Sequence, residues 1–422
     1  MPNLNFEGHD TLYASHGLHS FAAKCPPQIA RYGVRYYSRR GDIVLDPMAG
    51  SGTTLVEARM LGRHAIGYDI DPFARLLAKV KTHPLQDRSL ERTHDLILGR
   101  CQRDLKNLRS KTGSAALCSR AEPPNFKNRD YWFLPNVATS LSLLSHHIAE
   151  VRCPKPISKF MWVAFSSLIL SKTSVANARD IIHSRHHFHE HDQPPDVLEK
   201  FTERVKNMRR QMRDFVRRCS TQSKTAVEAR IGDARKLRLQ DASINLVFTS
   251  PPYATALDYS RAHFLAVPWM KEVLHVDVST YLSKGSRYIG SERGRFRDNF
   301  VISPAFSECP TTRIILERLQ KKSLRHAKLT QRYFLDMLKV IGEISRVLKR
   351  DGHAIILVCP SHIRKVRVQT HTALIEIGSL KGLHLKRRLT RRISERRRLL
   401  PYVKSSFGSR MDTEYLLIFQ KN

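Results

Sequence analysis

The segment Asp46-Pro47-Met48-Ala49-Gly50-Ser51-Gly52-Thr53-Thr54 constrains the fold of this chain more than any other. It follows the strand-like run Asp42-Ile43-Val44-Leu45 and leads into the helical start Leu55-Val56-Glu57-Ala58-Arg59. A short apolar run, a glycine turn and a helix start together read as the first βα unit of a doubly wound sheet. Glycines at 50 and 52 let the backbone turn sharply and approach a ligand closely. Thr53 and Thr54 are placed to cap the following helix. Dinucleotide and phosphate binders share such a turn, so the next segment matters. His64-Ala65-Ile66-Gly67-Tyr68-Asp69-Ile70-Asp71 reads as the second strand. It carries an acid near its tip about 20 residues on, where a carboxylate suits ribose hydroxyls. The lysine of a phosphate loop and the third glycine of the dinucleotide pattern are both missing, so a nucleoside without a phosphate chain fits better.

A second motif narrows the chemistry. Thr249-Ser250-Pro251-Pro252-Tyr253 follows the apolar run Ile244-Asn245-Leu246-Val247-Phe248, which reads as a buried strand. Two consecutive prolines fix their own φ and remove two backbone donors. They also push the preceding residue into an extended conformation. The loop is left with carbonyl oxygens, one serine hydroxyl and an aromatic plane. That set suits a planar group bearing an exocyclic amine: acceptors for its N–H protons and a ring for stacking. Alone, the same residues would serve equally as a proline-rich turn capped by a surface tyrosine.

Taken together, the DPxxGSGT turn, the acid-tipped second strand and the TSPPY loop resemble the S-adenosylmethionine-dependent DNA amino-methyltransferases, which modify cytosine N4 or adenine N6. His16 to Pro27 resembles the segment of that family that helps enclose the methionine end of the cofactor. Gly232-Asp233-Ala234, Ala256-Leu257-Asp258-Tyr259 and the run from Arg346 to His353 extend the match. The resemblance covers residues 10–82 and 226–422, with 83–225 placed only as an insertion. It implies S-adenosyl-L-methionine as cofactor, held by Phe21, Asp46, Pro47, Gly50, Gly52, Thr53, Asp69, Asp233 and Thr249. In that reading the two glycines pass close to the methionine moiety, Asp69 takes the ribose hydroxyls and Asp233 the adenine amine. Asp46 positions the glycine loop or reaches the cofactor ammonium through water.

The resemblance also makes Ser250, Pro251, Pro252 and Tyr253 the catalytic loop, acting on a base extruded from double-stranded DNA. Asp258 and Tyr259 would orient that loop or touch the target. The TSPPY form is more typical of cytosine N4 enzymes; adenine N6 enzymes usually carry Asp or Asn in place of Ser250. An RNA base amino-methyltransferase on the same scaffold is one alternative, and a non-catalytic nucleic-acid binder another. The reaction needs no metal. A cognate restriction endonuclease is a further partner that such an enzyme can have, and the oligomeric state is open.

Composition agrees with a nucleic-acid partner. The 422 residues carry a formal net charge of +34, which calls for a polyanionic partner or surface. Between Lys381 and Arg410 the chain is densely basic, with Glu395 its one acid. Arg396, Arg397 and Arg398 are the candidates there for contact with DNA phosphates. The seven cysteines form no CxxC pair, which argues against a zinc ribbon or a disulfide framework and for a reducing cytoplasm, where the DNA partner that the resemblance implies would associate the protein with the nucleoid. No signal peptide is visible, and Phe160 to Leu170 is too short an apolar stretch to span a bilayer. His183, His186, His187, His189 and His191 cluster without a completing carboxylate or cysteine, so a surface loop is expected there rather than a metal site.

The expected architecture is α/β: a doubly wound, mostly parallel seven-stranded methyltransferase (Rossmann-like) sheet with an antiparallel edge hairpin and a largely helical insertion. Strands are expected at 42–46, 65–70, 226–231, 244–249, 353–359, 383–389 and 414–420. Helices are expected at 27–38, 53–61, 72–81, 333–349 and 369–380. Residues 1–82 would form the cofactor half and 226–422 the catalytic half. The insertion, 83–225, and the Arg- and Gly-rich stretch 272–330 are the candidates for reading DNA sequence. Within the insertion, Cys118 to Asn128 reads as a loop, and Tyr131-Trp132-Phe133 as either a base-stacking surface or a core plug.

Overall fold

The computed structural model describes residues 4–6, 8–21, 24–110, 112–169, 175–176, 195–219, 225–254, 263–293, 299–393 and 413–422. Seven strands form one sheet: β1 (Ile43–Asp46), β2 (His64–Asp69), β3 (Val227–Ile231), β4 (Ile244–Thr249), β5 (Leu348–Val358), β8 (Leu383–Arg392) and β9 (Thr413–Lys421). Two short strands, β6 (Ser361–Ile363) and β7 (Val366–Val368), pair as a separate hairpin. The order across the large sheet is β3-β2-β1-β4-β5-β9-β8. The first five strands are parallel, and β9 runs antiparallel to both its neighbours. This is the doubly wound methyltransferase sheet with its antiparallel edge hairpin.

The central strands are apolar because both their faces are covered. Helices Pro27–Tyr37 and Thr53–Met60 lay Ile29, Val34, Leu55 and Ala58 over Val44, Leu246, Phe248 and Ile355. On the other face, Phe334, Met337, Val340 and Ile341 of the helix Leu324–Val347 cover Leu45, Val247, Ala354 and Ile356. The chain leaves β1 towards β2 on one side and later places β4 on the other. That reversal opens a crevice outside the carboxyl ends of β1 and β4, where ligands bind in sheets of this type.

Helices Asp87–Arg109, Pro135–Glu150, Lys155–Ile169 and Val197–Arg218 pack into one apolar cluster around Leu141, Phe160, Phe165, Phe201 and Phe215. The cluster runs on into Phe73 and Leu77 of the helix Pro72–Thr82. Trp132 and Phe133 are buried in it and only Tyr131 is exposed, so the aromatic triplet mainly plugs a core. One expectation is corrected. The supposed loop from Cys118 falls partly in a helix, Ala115–Ala121, whose N-cap Ser114 accepts the Leu117 N–H. The stretch 272–330 holds the helix Pro310–Lys322, which buries Thr312, Ile315, Leu316 and Leu319 at helical spacing beneath a charged face. Among the described residues, no helix is long and apolar enough to cross a membrane.

Candidate active site

The crevice is lined by Phe21, Lys24, Asp46 to Ser51, Thr53, Asp69, Asp71, Asp233, Ser250, Pro252 and the segment Arg287 to Ile289. Asp46, the last residue of β1, organises it. Its Oδ2 accepts the Thr54 hydroxyl at 2.6 Å, while Oδ1 accepts the Thr249 hydroxyl at 2.9 Å and the Met48 N–H at 3.1 Å. One buried carboxylate thereby ties the end of β1 to the helix after the glycine turn and to the end of β4. Burial pushes its pKa up to about 6 against those hydrogen bonds.

This arrangement corrects three local expectations. The N-cap of the helix Thr53–Met60 is Gly52, with φ at +85°, and no side chain caps it. Thr54 gives its hydroxyl to Asp46 instead, and Thr53 faces the crevice. Thr249 is fully buried with its hydroxyl on Asp46, so it braces the wall without forming it. Gly52 also lies behind the wall, where a Cβ would come within 2.9 Å of Ala78 Cα.

Gly50, at φ +49°, donates its N–H to Asp69 Oδ2 at 2.8 Å. Asp69 Oδ1 accepts the Asp71 N–H at 2.8 Å. Asp71 in turn caps the helix Pro72–Thr82 through the Phe73 N–H and accepts the Tyr281 hydroxyl at 3.0 Å. Burial pushes Asp69 up to about 6. Burial, with Asp69 beside it, pushes Asp71 up to about 7. The hydrogen bonds that Asp46, Asp69 and Asp71 accept among the described residues come from neutral donors. The floor of the crevice therefore holds three carboxylates with no cation on them, and such buried charge is costly until paired.

At the far side, Lys24 Nζ donates to the His16 and His19 carbonyls at 3.2 and 3.0 Å, and burial pushes its pKa down to about 8. Phe21 stacks on His263 with ring centroids 5.1 Å apart, and its edge lies 3.4 Å from where a Cβ on Gly50 would stand. Asp233, in the turn after β3, is differently placed. Its two oxygens take the Arg235 N–H, Nε and Nη2 at 3.0, 2.9 and 2.6 Å. Burial works to raise its pKa, but Arg235 outweighs burial and leaves it lowered. Any contact with an adenine amine must use lone pairs that Arg235 leaves free.

On the loop after β4, Ser250 and Pro252 face the crevice while Pro251 is buried. The Tyr253 hydroxyl lies 3.4 Å from Glu414 Oε1. Glu414 forms a buried ion pair with Arg391 at 2.6 Å. Gly290, at φ +77°, packs so closely that a Cβ there would clash with the Tyr253 carbonyl. Lys24, Asp71, Tyr281, Gly290, Arg391 and Glu414 were not singled out from sequence. Only Lys24 and Asp71 lie within motifs quoted above, and the others act through contacts distant in the chain. Asp258, Tyr259, Arg396, Arg397, Arg398 and the histidines at 183–191 lie outside the described residues.

A mostly parallel sheet with a glycine turn, buried carboxylates and a proline-rich loop at one crevice is an α/β fold of the methyltransferase type. A family model described as DNA methylase matches residues 5–79. The Type II methyltransferase M.MvaI of Kocuria varians is 23% identical over 412 residues, spanning 93% of this chain and 87% of that protein. The Type II methyltransferase M.MjaII of Methanocaldococcus jannaschii is 38% identical over 93 residues, 22% of this chain and 18% of that protein. A putative DNA modification methylase of Thermus thermophilus, solved with S-adenosyl-L-methionine, aligns at 16% identity with a TM-score of 0.21, covering 45% of this chain and 51% of the other. The chain is thus similar, over residues 5–79 most clearly, to DNA amino-methyltransferases of the cytosine-N4 and adenine-N6 type. S-adenosyl-L-methionine is the cofactor that this similarity implies. The unpaired carboxylates of the crevice fit that molecule, which brings a sulfonium, an ammonium and two ribose hydroxyl donors.

Proposed function

We propose that this protein methylates cytosine at N4 within double-stranded DNA. The observation that carries the reading is the Asp46 bridge: one carboxylate fixes the serine-proline loop against the nucleoside crevice. The cofactor supplies an electrophilic methyl group. The amine of cytosine is conjugated with its ring, so its lone pair is a poor nucleophile. The Ser250 Oγ and the Pro251 carbonyl accept its two N–H protons, favouring sp³ geometry and stabilising the charge that develops on nitrogen. Tyr253 stacks on the base and aligns it, its hydroxyl steadied by Glu414. No strong general base is needed, because the N–H becomes acidic as the new bond forms; its proton leaves through Ser250 to water.

On the cofactor side, Asp69 accepts the ribose hydroxyls, Gly50 passes beside the methionine moiety and Phe21 closes over it. The target base is extruded, since a stacked base cannot reach the loop. Residues 83–225 and 272–330 are the candidates for reading sequence, and a cognate endonuclease is a candidate partner. Serine at 250 favours cytosine over adenine. Expression in a host lacking DNA methylation, followed by modification-sensitive sequencing, should reveal N4-methylcytosine in a defined motif. N6-methyladenine would redirect the assignment, and labelled methyl groups entering only RNA would overturn it.

A further inference from the structure

A second concave surface lies along the outer edge of β3, away from the crevice. It is a groove of about 540 Å³ lined by Arg59, Arg75, Lys79, Lys159 and Arg230, from three helices and the strand, together with His83. Among the described residues its one carboxylate, Glu228, is ion-paired to Arg230 at 2.7 Å. Arg75 places its Nε 3.3 Å from the Ala229 carbonyl on the strand edge. Burial and the charge of Arg75 both push the pKa of Lys79 and of Lys159 down.

Cations along an exposed strand can simply guard it against pairing with another chain. That function needs charges pointing to solvent. It does not account for side chains from separate helices converging where they desolvate and repel one another. Convergent, half-buried cations with too few acids to match them among the described residues form the complement of closely spaced anions.

We propose that this groove binds backbone phosphates of DNA outside the target site, an inference that rests on the reading of the substrate as DNA. β3 lies three strand spacings from β4, roughly 14 Å across the sheet. At 3.4 Å per base pair along a strand, the phosphates held here lie more than about 4 base pairs from the extruded base. Such contacts fix orientation and register without reading sequence. They recruit DNA of any sequence through the release of counterions.

The test compares the intact protein with the double variant Lys79→Gln, Lys159→Gln. Binding is titrated against salt on two duplexes, one limited to the target and its immediate flanks and one several helical turns long. On the long duplex the variant should bind more weakly, with its log–log salt slope flattened by about 1.8, or 0.9 for each lost phosphate contact. On the short duplex the two proteins should coincide. Lys79→Arg, Lys159→Arg should restore the slope, and unchanged cofactor binding shows that the site remains folded. Identical slopes on the long duplex overturn the proposal. Equal flattening on both duplexes also overturns it, because the cations then serve the target itself. Binding of tripolyphosphate, lost in the Gln variant while DNA slopes stay equal, would make the groove a site for free phosphates. Failure of the unaltered protein to transfer methyl groups to DNA would remove the substrate reading itself. Methyl transfer to DNA with unchanged slopes would remove only this inference.

Discussion

Asp69 has both carboxylate oxygens engaged by backbone N–H groups, from Gly50 and from Asp71, before any ligand arrives. Ribose hydroxyls must share its remaining lone pairs. Asp69→Ala should therefore weaken cofactor binding by roughly 1.5–3 kcal/mol, the scale of hydrogen bonds to a charged group; equal affinities by calorimetry would reject the ribose role. Ser250→Ala should leave cofactor affinity within a few-fold and lower the single-turnover rate on the order of 10²–10³, as loss of one preorganised partner does elsewhere. Asp71 gives a pH test. Its folded pKa is raised from 3.8 to about 7, so the folded protein holds a proton there that the unfolded chain has released. The stability tied to that proton is present below the unfolded value and is lost as pH rises through about 7. Asp71→Asn cannot ionise, so its melting temperature relative to wild type should climb across that interval. A constant difference would contradict the burial argument.

The elements around the crevice were legible in the sequence to different degrees, and the reason is range. The glycine turn and both flanking strands are local patterns, and they stand where periodicity places them. Thr54 reads locally as a cap, but its hydroxyl goes to Asp46, which is also the partner of Thr249 from 203 residues away. No spacing rule encodes that bridge. The hairpin β6–β7 escaped notice because Arg364 and Lys365 take positive φ at its turn, where Asn-Gly is the usual signal. Gly290 gives the test at this scale. A methyl group there meets both a positive φ, costing about 1–2 kcal/mol for an L residue, and the Tyr253 carbonyl. Gly290→Ala should displace the catalytic loop and lower turnover while leaving cofactor binding near normal. An unchanged rate would show that the loop tolerates the shift.

For the whole molecule the question is how a net charge of +34 is deployed. β9 is antiparallel to both β5 and β8, so β8 runs in the direction of β5 and ends at the same edge of the sheet as the Ser250–Tyr253 loop. The register makes this concrete: Arg391 near the end of β8 lies opposite Glu414, and Glu414 is the residue that the Tyr253 hydroxyl approaches. The described residues on either side of 394–412, Ile393 and Thr413, therefore both stand at that edge. A charge run is usually a solvated face, but the chain on either side of this one stands beside Tyr253, which suits contact with the phosphates that flank an extruded base. We propose that role for Arg396, Arg397 and Arg398. Replacing all three with Ala should weaken binding to every DNA sequence alike, because phosphate contacts carry no sequence information. It should flatten the log–log salt slope by up to about 2.7 and leave the methylated motif unchanged. Unlike the groove along β3, this loss should appear equally on short and long duplexes, since the contacts lie at the target. An unaltered slope on the short duplex would show that the run faces solvent.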